Sequence, residues 1–132
     1  MRKKGAVCDF IEERNEELKK AFRECRRSGE YKTTDDIFAL MAAMPASRFY
    51  INEQRAAQLI AAKWKKGGWN PKTMPKKLEM IEEIERRVAA LMTTDPELSL
   101  EDAVVTVVYS GAPSFYMTVR SIRTIFYGIM KK

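Results

Sequence analysis

Apolar residues recur at helical spacing near the start of the chain. Ile11, Leu18, Phe22 and Cys25 share one face, and Ile81, Ile84, Val88 and Leu91 share another. A second helix is predicted after each. Thr33 with Asp36, and Ser99 with Asp102, have the spacing of a capping box with the shorter acid. Phe38-Ala39-Leu40-Met41-Ala42 favours a helix. Val104-Val105-Thr106-Val107-Val108 alone reads as a strand, because β-branched residues suit a pleated surface. Its position matches the Phe38–Ala42 run, so both are expected to be helical. A third helix starts at Asn52 and at Thr118, both favourable N-caps. Ile51 with Ala56, and Met117 with Ile122, flank those caps at hydrophobic-staple spacing. Pro45 and Pro113 end the preceding helix, and Phe49-Tyr50 and Phe115-Tyr116 fill the corner.

Apart from Ile11 against Ile81 and Pro45 against Pro113, these matches share one offset of 66 residues, half of the 132-residue chain. The pattern predicts an all-α fold: a tandem repeat of two three-helix units packed as one compact body. Residues 1–66 form the first unit, 67–77 a basic Gly/Pro linker and 78–132 the second. In the linker Gly67 suits a helix end, Pro71 and Pro75 prevent continuation, and Trp69 is expected to pin the segment onto a unit.

Charge changes the picture. The net charge is +6, and it is unevenly placed. Residues 48–77 carry eight basic side chains and one acidic, residues 78–102 two and eight, and residues 103–132 four and none. Dipole matching explains bases at a helix end, such as Lys63, Lys65 and Lys66. It does not explain Arg48, Arg55, Arg120 and Arg123, which cluster where a helix begins. An anionic partner would favour them there.

Three helices with a basic third one resemble the helix-turn-helix family, and Thr118-Val-Arg-Ser-Ile-Arg-Thr-Ile-Phe126 resembles its recognition helix. Here Ala112 to Met117 lengthen the turn after Gly111. The Pro45-Ala-Ser-Arg-Phe-Tyr50 phrase also resembles small proteins of Bacteroides-type bacteria and their mobile elements. The helix-turn-helix resemblance implies DNA binding. Arg55, Arg120 and Arg123 would face the groove, with Gln54 and Gln58 beside them to read base edges. Lys65, Lys66, Lys72, Lys76 and Lys77 would track the backbone, and Arg48 and Lys63 complete the basic set. A regulator or a mobile-element accessory protein fits this reading.

The alternative is a helical protein–protein interaction or assembly module, self-associating through Ile125, Phe126, Ile129 and Met130. An enzyme is not expected, because the chain has no histidine and no phosphate loop. No cofactor, metal or small-molecule substrate is expected either. Cys8 and Cys25 lack ligand or disulfide-framework spacing, and Cys25 falls on an apolar stripe. No apolar run approaches membrane-spanning length and no apolar region follows Met-Arg-Lys-Lys, so a cytoplasmic location is expected.

Overall fold

The structure, a computed structural model, describes the backbone of residues 3–131 and the side chains of residues 10–131. The basic start at Met1-Arg2, the Cys8 side chain and Lys132 lie outside the described residues. The described chain is all-helical. Its elements are α1 (Lys3–Ser28), α2 (Thr34–Ala42), α3 (Glu53–Lys66), α4 (Pro75–Thr94), α5 (Leu100–Val108) and α6 (Val119–Met130). No helix among the described residues is long and apolar enough to cross a membrane.

Local chemistry sets the boundaries. The Thr33 side chain accepts from Asp36 N, and Asp36 reaches back to the cap backbone, so the box before α2 is complete. Ser99 accepts from Asp102 N, Asn52 from Arg55 N and Thr118 from Ser121 N. Gly67 ends α3 at φ 83°, a left-handed conformation that favours glycine. Pro75 opens α4 at a position where the missing N–H costs nothing. Helix α4 therefore begins inside the segment expected to be linker. The valine run is helical, with Val104, Val107 and Val108 buried on one side and Val105 exposed.

The chain divides into two compact units, and these do not follow the 1–66 and 78–132 boundaries. Unit 1 is the chain up to Ala46 and from Ala112 on; unit 2 is Ser47–Gly111. Helices α1, α2 and α6 pack together in unit 1, and α3, α4 and α5 in unit 2. Successive helices α2 and α3 thus fall in different units, unlike the packed pair of a helix-turn-helix. The reason lies in the segments after α2 and α5: Pro45 and Pro113 interrupt the helices, and past Pro45 the backbone joins unit 2, where Phe49 N donates to Val108 O at 2.9 Å. Where the chain leaves and re-enters unit 1, Ala46 N donates to Ala112 O at 3.0 Å and Ala112 N to Ala46 O at 2.9 Å.

The core of unit 1 gathers Leu18 and Cys25 from α1, Phe38 and Met41 from α2, and Ile122 and Phe126 from α6. Phe22 stacks on Phe126 with ring centroids 4.3 Å apart. Phe126 is therefore a core residue. Of the four side chains expected to self-associate, Ile125, Ile129 and Met130 are the ones that reach the surface. Cys25 is buried, with its Sγ 3.3 Å from Met44 Sδ. Burial, then the nearby Glu24 charge, pushes its thiol pKa up, which suits an inert apolar filler.

The core of unit 2 joins Phe49, Ala56 and Ile60 to Ile81, Ile84 and Val88 of α4 and to Val104 and Val108 of α5. Of the two Phe-Tyr corners, Phe49 and Phe115 are buried while Tyr50 and Tyr116 are half-buried.

Candidate nucleic-acid interface

Helix α3 supplies the scaffold of the basic surface in unit 2. Its buried side is Ala56, Ala57 and Ile60. Gln54, Gln58 and Lys65 lie on one exposed stripe, separated by four and then seven positions. Arg55, Leu59, Ala62 and Lys66 form the neighbouring stripe, which runs beside the Gly67–Met74 loop.

Two hollows lie along that second stripe. The smaller, about 210 Å³, is lined by Arg55, Lys72 and Lys77 together with Trp69, Asn70 and Met74. The larger, about 580 Å³, is lined by Lys63, Lys66, Ala62, Gly68, Trp69 and Pro71. Leu59, Trp69, Asn70 and Thr73 belong to both walls. No carboxylate lines either hollow among the described residues. Arg55, Lys72 and Lys77 are exposed and form no ion pair among the described residues. Positive potential therefore accumulates over the α3–α4 corner, with the N-terminal end of α4 adding its dipole.

Other basic residues are committed elsewhere. Lys63 Nζ donates to Glu85 Oε2 at 2.7 Å, and Trp64 Nε1 donates to the same oxygen at 2.7 Å. Lys63 Nζ also stands 5.4 Å from the Trp69 ring centroid. It is half-buried and locked, so it holds the loop's indole against α3 instead of reaching outward. Lys76 is exposed, 3.5 Å from Glu79. Surface pairs of this kind contribute about 0–1 kcal/mol and yield readily to a stronger anion.

Arg48 does not belong to the surface. It is 5% exposed, its Nε donates to Phe49 O at 3.0 Å and its Nη2 to Ile51 O at 3.1 Å. Its guanidinium lies 4.3 Å from the Tyr109 ring centroid. The corner consumes this charge, because backbone carbonyls buried in a tight turn need donors.

Arg120 and Arg123 sit on α6 in unit 1. Arg120 is exposed. Arg123 Nη1 pairs with Asp35 Oδ1 at 3.2 Å, and its side chain is 40% exposed. The acid at the start of α2 thus offsets part of the α6 charge. Gln54, Gln58, Lys65 and Lys66 are exposed, and both hollows are also lined by Trp69 and Asn70, which the charge pattern does not single out. Their sequence signal is an aromatic and an amide between Gly67-Gly68 and Pro71, within a lysine-rich stretch.

Comparison with family models, curated proteins and solved structures finds no match for this chain.

Proposed function

We propose that the chain binds nucleic acid, duplex DNA first, through the α3–α4 corner. The observation that carries this is the convergence of Arg55, Lys72 and Lys77 on one hollow with no carboxylate in its wall. Like charges repel, and their collection on a shared concave surface without neutralising acids favours an anionic ligand. Lys65, Lys66 and Lys76 extend the positive surface along the end of α3 and the first turn of α4. Gln54 and Gln58 are exposed beside it on α3, about one turn apart, and side-chain amides of this type can pair with base edges. Arg120 and a weaker Arg123 supply a second, smaller basic patch in unit 1.

The same reading takes the chain as two copies of one three-helix sequence that exchange their third helices. Helices α2 and α5 open at Thr34 and Leu100, and α3 and α6 at Glu53 and Val119, each pair 66 positions apart. Helices α1 and α4 end at Ser28 and Thr94, and the paired alanines are Ala46 and Ala112, with the same spacing. Each unit then contains the third helix of the other copy, an exchange within one chain of the kind that swapped dimers make between chains. The two recognition surfaces differ in residues, so they would read different sites.

Titration of a labelled random DNA duplex over a salt series tests the binding. Affinity should fall steeply between about 50 and 200 mM salt. Replacing Lys72 and Lys77 with alanine should lower the log–log slope by about 2, near 0.9 for each phosphate no longer neutralised. No binding by the wild-type chain at low salt would exclude the proposal.

A further inference from the structure

Phosphate contact alone leaves Trp69 unexplained. A half-buried tryptophan in a Gly/Pro loop costs hydrophobic surface unless something covers it. Lys63, fixed by Glu85, stands over the indole. Lys63 lines the larger hollow and not the smaller, whereas Trp69 is a wall of both. The smaller hollow therefore brings together an indole, three cations without an ion pair among the described residues, and the side-chain amide of Asn70. The Asn70 Oδ1 accepts from Lys72 N at 2.9 Å, which fixes the loop and orients that amide. At its far edge the N-cap Met74 offers no side-chain oxygen to the first turn of α4. Aromatic faces next to cations are what unpaired nucleotides need: the base stacks, and its flanking phosphates take the charges.

We propose that the hollow between α3, the Gly67–Met74 loop and α4 holds an unpaired nucleotide. Its base stacks on Trp69, and its flanking phosphates rest on Arg55, Lys72 and Lys77. This rests on the nucleic-acid reading above and adds a preference for single-stranded or locally unpaired segments. Stacking is tolerant of base identity, so the site selects strand state and not sequence.

The test uses the full chain carrying Trp64→Phe, so that Trp69 is the one remaining tryptophan. Single-stranded oligo(dT) and a duplex of equal length are the probes, with fluorescence quenching and labelled-strand anisotropy as readouts. Oligo(dT) should quench Trp69. Trp69→Ala should weaken oligo(dT) binding roughly 5- to 150-fold, a larger loss than it causes for the duplex. Trp69→Phe, which keeps an aromatic face and tests for misfolding, should retain most of the oligo(dT) affinity. Unquenched Trp69 with bound oligo(dT), or equal oligo(dT) affinity in Trp69→Ala, overturns the stacking site while duplex binding stands. Loss of duplex and oligo(dT) binding alike in the wild-type chain overturns both proposals.

Discussion

Arg48 shows what a single residue does when the backbone around it has to turn. The carbonyls of Phe49 and Ile51 point into a corner that water does not reach, and the guanidinium supplies the donors. Tyr109 covers its face at 4.3 Å, which offsets part of the desolvation of the charge. Across the same unit Arg87 plays a related part. Its Nη1 donates to Gly111 O at 2.8 Å, and its guanidinium lies 5.1 Å from the Phe49 ring centroid. Arg48→Met would keep the length of the side chain and remove the guanidinium donors from Phe49 O and Ile51 O, of which Phe49 O keeps its bond from Ile51 N at 3.0 Å. We expect it to cost about 1–3 kcal/mol in a denaturant melt. The salt slope of the proposed DNA binding should not change, since this guanidinium is buried and bonded to backbone carbonyls. A flattened slope with unchanged stability would contradict that assignment. A count of charges along the sequence treats Arg48 like Lys65, because burial is a property of the folded surroundings and not of the residue.

At the scale of the element, the starts of α2, α3, α5 and α6 are held by short-range oxygen-to-amide bonds. Asp36 Oδ2 accepts from Lys32 N at 2.9 Å and from Thr33 N at 3.1 Å, and these backbone donors hold its carboxyl below the usual aspartate range. Glu83 on α4 is held low as well, first by its bond to Arg86 and then by Arg87. Both groups bind a proton less readily when folded than when unfolded. Their stabilisation is complete above the ordinary carboxylate pKa of about 4 and is lost as pH falls through the lower folded values. Thermal melts should therefore show a falling midpoint below about pH 4, and Asp36→Asn should reduce that acid dependence. An Asp36→Asn melt with the full wild-type acid slope would assign the effect to other carboxyls. These caps were legible in the sequence, as Thr33, Ser99, Asn52 and Thr118 each lie within three residues of the amide they cap.

For the whole chain, the decisive fact is which helices share a core. Helix α6 covers Phe38 and Phe22 in unit 1, with Phe126 as its contact. Helix α3 brings Ala56 and Ile60 to unit 2. Cutting the chain between 66 and 67 would leave residues 1–66 without α6 and residues 67–132 without α3. Neither half should unfold cooperatively as a monomer. Mixing the two halves should restore helicity and a cooperative transition, followed by circular dichroism. A cooperative melt from monomeric 1–66 would show that α3 can serve α1 and α2 as well as α6 does.

The local pattern determined a great deal by itself: the helical character of α1, α2 and α4, the caps at Thr33, Asn52, Ser99 and Thr118, and the Gly67 stop. All of these follow from interactions within a few residues. The choice of partner for the third helix belongs to the tertiary structure. The pairing is made by contacts between residues far apart in the chain: Ala56 and Ile60 of α3 are buried in unit 2, and Phe126 of α6 packs on Phe22 and Phe38 in unit 1. Tertiary packing also sorted the basic residues. It buried Arg48, tied Lys63 to Glu85 and Arg123 to Asp35, and left Arg55, Lys72 and Lys77 around the indole of Trp69. Charge is written residue by residue, but its availability depends on neighbours that are distant in the chain.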